Sequence, residues 1–236
     1  MTMKQHEFLT PAGPAETEIV IKKSRFIGQL RPVRWVDEAE AALEAIRTEH
    51  KTATHNCYAY TVGLGVPIER FSDDGEPSGT AGRPILEVLR RRQVMNALIV
   101  VTRYFGGTLL GANGLVRAYT EGAASVIDSG QLLTCKVMQP VHITLDYSRF
   151  GKLEHELTNA GWVIRDKQFT EQVHLSLWVP YADAAALTQQ IADWTDGQAV
   201  VEMGPAQYVG EDQAGNLVFD VWPDAGATDD PAGESR

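Results

Sequence analysis

Apolar and polar positions along the chain follow two regimes that change near residue 140. In the first, Thr17–Val33 alternates in the manner of two short strands around Lys22-Lys23-Ser24. Asp37 then opens a helix to about His50, with Ala39, Ala42, Leu43 and Ile46 on one face and Asp37 as its N-cap. Asn56–Val62 and Pro67–Phe71 read as strands joined by Gly63-Leu64-Gly65. A glycine-rich loop, 72–82, leads into a short helix from Arg83-Pro84 to Arg92. Ala97–Thr102 is apolar on both sides and predicts a central strand. A second glycine-rich loop, 103–114, leads into a helix that ends near Gly130.

From Val141 the spacing gives strand 141–146, helix 149–160, strands 162–168 and 172–179, helix 182–195 and strand 199–208. That β-α-β-β-α-β order is the ferredoxin-like split unit. The expected organisation is therefore α+β, with a first domain over 1–138, a second over 139–222 and a disordered tail over 223–236, whose residues are small and polar.

Composition narrows the class. The chain has 236 residues, 44% of them apolar and 22% charged, which suits a water-soluble protein of one large domain or two ordinary ones. No apolar run approaches the roughly 20 residues that span a bilayer, and the first residues lack the apolar core of a signal peptide. With only two cysteines, Cys57 and Cys135, the expectation is a cytoplasmic protein with reduced thiols and no membrane partner. The net charge of −10 is unevenly spread. Residues 1–139 hold 16 Lys/Arg against 15 Asp/Glu, a balance of +1, whereas residues 140–236 hold 5 against 16, a balance of −11. A polyanion is thus expected on the first domain only.

Candidate chemistry concentrates in residues 72–119. Seven glycines fall between Gly75 and Gly114, and both loops that carry them run into helices, whose free N–H groups attract anions. Arg103 and Arg117 supply charge for phosphate, and Tyr104-Phe105 supply rings for stacking on bases. With Gly106, Gly107, Gly79, Thr80, Gly82 and Arg83 they form the candidate nucleic-acid or anion site. A scaffold reading stands beside it: glycines for close packing, Tyr104 and Phe105 in the core, and Arg103 paired with Asp73 or Asp74. Neither G-x-G-x-x-G nor a Walker-type lysine is present, which argues against nucleotide hydrolysis. His55 and Cys57, at i and i+2 on one strand, share a face and could form a thiolate–imidazole pair. Asp73, Asp74 and Glu76 could ligate a divalent cation. The commoner reading of both groups is structural, and no cofactor is implied. Arg90-Arg91-Arg92 suits the negative end of a helix dipole.

Four segments carry a family resemblance: Ala53-Thr54-His55-Asn56-Cys57-Tyr58-Ala59-Tyr60, the stretch from Ser72 to Pro84, Val101-Thr102-Arg103-Tyr104-Phe105-Gly106-Gly107, and Leu110-Gly111-Ala112-Asn113-Gly114-Leu115-Val116-Arg117-Ala118-Tyr119. In this order they resemble the IMPACT family in its bacterial YigZ/YvyE branch, as does the early Lys22-Lys23-Ser24-Arg25-Phe26-Ile27. The resemblance implies an N-terminal domain of the ribosomal-protein/elongation-factor-G domain IV type, and a ferredoxin-like C-terminal domain similar to elongation factor G domain V. Eukaryotic IMPACT regulates translation by competing for an activator of the amino-acid-starvation kinase, and the extra recognition domain of those members is not expected here. What carries over is a translation-associated or RNA- and ribosome-binding role through the N-terminal domain, without catalytic residues. Two alternatives stand beside it: an enzyme, for instance a hydrolase, with an anion pocket in the 72–82 and 103–114 loops, and a protein–protein regulator without nucleic-acid contact.

Overall fold

The computed structural model describes residues 7–64 and 66–222, so the tail expected to be disordered lies outside the described residues. In chain order the first part comprises β1 (Phe8–Pro11), β2 (Ala15–Ile21), β3 (Ser24–Pro32), α1 (Val36–Glu49), β4 (His55–Val62), β5 (Ile68–Ser72), α2 (Gly82–Arg92), β6 (Ala97–Tyr104) and α3 (Ala112–Ser129). The second comprises β7 (Leu132–Leu145), α4 (Tyr147–Asn159), β8 (Ile164–Phe169), β9 (Val173–Pro180), α5 (Tyr181–Trp194), β10 (Val200–Met203), β11 (Gln207–Glu211) and β12 (Leu217–Val218). Two compact units divide between Cys135 and Lys136, with Gly210–Val218 assigned to the first. The boundary read from the sequence near Met138-Gln139-Pro140 lies inside β7, which continues without a loop.

The first unit is organised by β6, the middle strand of an antiparallel sheet in the order β2-β3-β6-β4-β5. Because side chains alternate along a strand, Ala97, Ile99 and Val101 join the core under α2 and α3, while Leu98 and Val100 join a second core under α1. A strand buried on both faces cannot show amphipathic alternation, which is why β6 reads as a continuous apolar run. Cross-strand neighbours follow the same division: Phe26, Gly28 and Leu30 of β3 face Arg103, Val101 and Ile99. Gly28 has a steric reason, since a Cβ there would sit 2.6 Å from the Gly122 carbonyl oxygen of α3. A side chain at Gly28 would therefore push the helix off the sheet, and a Cβ on Gly122 would press on Val101 Cγ1 at 3.2 Å.

Two of the boundaries that differ from the sequence expectation bear on the first unit's core and site. The N-cap of α1 is Trp35, and Asp37 falls inside the first turn. The helix starts earlier because Val36 packs against the α1-side core. β6 runs two residues beyond Thr102, so Arg103 and Tyr104 are strand residues, with Phe26↔Arg103 and Arg25↔Tyr104 as pairs.

In the second unit β10, β7, β9 and β8 lie side by side in that order, all antiparallel. Val173, Leu175, Leu177 and Val179 of β9 bury the face that α4 and α5 cover. The strand expected over 199–208 is two strands, β10 and β11, separated at Gly204.

Both cysteines are free and fully buried, and burial pushes each thiol up to about 12. A buried thiol resists ionisation while the unfolded chain ionises near 8.5, so the unfolded state binds fewer protons in between. Folding stability should therefore hold below pH ~8.5 and fall above it, by about 1.4 kcal/mol per pH unit for each thiol. Urea melts from pH 8 to about 10, below the range where the buried Tyr119 adds a slope of its own, should show this slope, and Cys57→Ala should remove about half of it. A flat profile would contradict the assigned burial.

Candidate functional site

Alternation along β6 decides what Arg103 does. It follows Ala97, Ile99 and Val101 onto the face covered by α2 and α3, so its guanidinium points inward at only 5% exposure. A cation there needs a counter-charge, and the 72–82 loop provides it. Arg103 Nη1 donates to Glu76 Oε1 at 2.6 Å, and the Tyr119 hydroxyl of α3 donates to the same oxygen at 2.8 Å. The other carboxylate oxygen lies 3.9 Å from His55 Nε2. Nη2 reaches Ser24 Oγ at 3.5 Å, and the Phe26 and Phe105 rings lie 5.5 and 5.4 Å from the guanidinium carbon. Burial, ahead of the neighbouring Cys57 and Glu76, pushes the Tyr119 phenol far above its ordinary range, so it stays a donor.

The rest of the 72–82 loop is held from within. Asp73 accepts the backbone N–H groups of Gly79 (2.8 Å), Ala81 (3.0 Å) and Gly82 (2.8 Å), filling the anion position at the start of α2 with the chain's own carboxylate. Asp74 accepts the Asn56 N–H at 2.6 Å, its carbonyl accepts His55 Nδ1–H at 2.7 Å, and Cys57 Sγ donates to the Asp73 carbonyl at 3.0 Å. These contacts overturn several sequence expectations. Arg103 is an internal ion-pair partner and not a surface anion ligand, and its partner is Glu76 rather than Asp73 or Asp74. Thr80 and Gly82 present no open cradle: Thr80 is buried with its hydroxyl on the Pro77 carbonyl, and a Cβ on Gly82 would come within 2.6 Å of the Ser72 backbone, whereas Gly79 (φ +78) borders open space and its N–H is already held by Asp73. The Cys57 thiol, pushed up to about 12 by burial, is no thiolate, and His55 turns its Nδ1 to a carbonyl. No cluster of metal-ligand type occurs among the described residues.

The 103–114 loop behaves differently. Tyr104 is half-buried on the α1 side, its hydroxyl 3.0 Å from His50 Nδ1. Phe105 stays 46% exposed, although its N–H donates to Thr54 Oγ1 at 3.0 Å. Gly106 donates to Ser24 Oγ at 3.1 Å, and a Cβ on it would lie 2.0 Å from the Lys23 carbonyl carbon. That close approach fixes the Lys22–Lys23 turn against the loop. Gly107 (φ +81) and Gly111 (φ +72) border open space. Arg117 and Arg83 are exposed and carry no ion pair among the described residues. The two loops are thus neighbours, joined through the contact of Glu76 with Arg103.

Sequence reasoning passed over Lys22 and Lys23 as site residues. Both are exposed and both hold left-handed backbone, φ 46 and 67. This hairpin position favours Asn-Gly, so two lysines there cost about 1 kcal/mol or more each. The readable signal was a charged dipeptide where turn residues belong.

Comparison with known proteins matches residues 22–127 to the Impact N-terminal domain and residues 143–198 to a domain of unknown function (DUF1949). The chain is 38% identical over 204 residues to "IMPACT family member YvyE" of Bacillus subtilis, covering 86% of this chain and 94% of that protein. It is 37% identical over 194 residues to "IMPACT family member YigZ" of Escherichia coli, covering 80% and 94%. A crystal structure titled as that of a hypothetical protein is similar at 34% identity and a TM-score of 0.55, covering 83% of this chain and 96% of the other.

Removing Arg103 strands a buried carboxylate. Arg103→Ala should lose about 3–5 kcal/mol of stability in urea melts, and Tyr119→Phe about 1.5–3 kcal/mol for one hydrogen bond to a charged group. An Arg103→Ala protein with unchanged stability would contradict the buried pair.

Proposed function

This chain belongs to the IMPACT family, and we propose that it is a non-catalytic, translation-associated factor that contacts RNA or the ribosome through its first unit. The observation that carries the reading is the Lys22–Lys23 turn. Two exposed cations occupy a strained turn pinned to an exposed glycine loop, with Arg117 unpaired on the helix that follows. Exposed cations held at one place suit a phosphate backbone, and the near-neutral first half of the chain allows them to act.

The groups that an enzyme would use point elsewhere. His55, Cys57, Asp73, Asp74 and Glu76 all make internal contacts that fix the loop, which leaves the hydrolase alternative without a free nucleophile or base in this cluster. The finer fold assignments belong to the same proposal. The second unit is read as ferredoxin-like, supported by the β-α-β-β-α-β succession and the sheet order β10-β7-β9-β8. The first is read as the elongation-factor-G domain IV type on the strength of the family resemblance. With 16 Asp/Glu in residues 140–236, the second unit is read as a bystander in polyanion contact. A cytoplasmic address goes with this role, and no helix among the described residues is long and apolar enough to cross a membrane.

Ribosomes sedimented with the full chain at two salt concentrations test the reading. Binding should weaken as salt rises, and each of Lys22→Ala, Lys23→Ala and Arg117→Ala should reduce the slope of log K against log salt by about 1. Absence of binding at low salt, or binding that ignores both salt and the three substitutions, would refute the electrostatic contact.

A further inference from the structure

Resting on the RNA-binding reading above, we infer that the surface formed by the Lys22–Lys23 turn and Phe105 is a single-strand site, on which an unpaired base stacks on the Phe105 ring while the lysines hold the adjacent backbone phosphates. An exposed phenylalanine in a glycine loop would ordinarily be expected to fold onto apolar neighbours. Here three contacts prevent that. The Phe105 N–H is held by Thr54, the next N–H is held by Ser24, and the guanidinium of the immobile Arg103 lies 5.4 Å from the ring centroid. The buried cation lies over one side of the ring, and Phe105 remains 46% exposed.

Rigidity matters because a stacking platform that must first be ordered loses part of its binding energy to that ordering. The same anchoring sets the lysines relative to the ring: Ser24, whose hydroxyl holds Gly106, directly follows Lys23, and Gly106 lies against the Lys23 carbonyl. Gly107 adds a second permissive feature, because its left-handed backbone faces open space and leaves room for a nucleotide beside the ring. Arg25 covers the neighbouring Tyr104 ring, 5.4 Å from its centroid, and is itself paired with Glu18 at 2.8 Å. This leaves Phe105 as the accessible aromatic face at the end of β6. Bases inside a duplex are already stacked and cannot reach a ring, whereas a single strand offers both faces of each base. Cations without an exposed ring would serve either form equally.

The test uses the full chain with two probes, fluorescein-labelled U12 and the same strand annealed to A12, at two salt concentrations. U12 should bind more tightly than the duplex. Phe105→Ala should weaken U12 by about 10-fold and leave the duplex unchanged, Phe105→Trp should keep U12 binding, and Lys22→Glu/Lys23→Glu should weaken both probes. A thermal melt of each variant separates lost binding from lost folding, and Phe105→Trp keeps the ring if Phe105→Ala proves unstable. The inference is overturned if Phe105→Ala leaves U12 affinity intact, if Phe105→Trp loses it, or if the duplex binds as tightly as U12. In any of these cases salt-dependent ribosome binding that needs Lys22 and Lys23 would survive, and the broader reading with it. Ribosomes and both probes all failing to bind would remove both.

Discussion

The buried Arg103–Glu76 pair is the contact on which the arrangement of the first unit depends. It draws together three stretches distant in sequence: the central strand β6, the 72–82 loop and helix α3, through Tyr119. Such a pair adds little net stability, because taking two charges out of water offsets most of their attraction. Its value is in specification. An arginine on the helix-covered face of β6 is tolerated only where Glu76 meets it, so the loop has a single acceptable seat. The remaining polar groups of the loop then turn inward, with Asp73 on three backbone N–H groups and Asp74 on Asn56.

That internal satisfaction separates two glycine loops that look alike in sequence. In the first, Gly82 is needed because the Ser72 backbone passes 2.6 Å from where its Cβ would be, and the start of α2 already holds an anion of its own. In the second, Gly106 is needed for the Lys23 backbone, while Gly107 and Gly111 border empty space. One loop serves as structure, and the other leaves backbone, Phe105 and nearby cations open to solvent. A surface at the end of a central strand buried on both faces is positioned by the rigidity of that strand.

Much of this was legible in the chain itself. The continuous apolar run of β6, the amphipathic face of α1 and the β-α-β-β-α-β succession after residue 140 are local patterns, and local patterns follow from helix and strand geometry. The long motifs around His55, Ser72–Pro84 and Arg103–Tyr119 were enough to mark the family. The uneven distribution of charge between the two halves was legible as well. The strand extending from Leu132 was not legible, because its pairing partners, Phe8–Pro11 on one stretch and Val173–Pro180 on another, are remote in sequence.

What only the tertiary structure decided was the fate of individual polar side chains. Arg103 reads as a surface cation when β6 is taken to end at Thr102; two more residues of strand place it on the buried face. Glu76 reads as a solvated loop acid until Arg103 and Tyr119 arrive from β6 and α3. Lys22 and Lys23 read as an ordinary turn until Gly106 brings the second loop against them. Sequence fixes which groups exist and the period on which they repeat. Whether a charge ends in water or against its opposite depends on which distant segment fills the space beside it, and only the packed chain determines that.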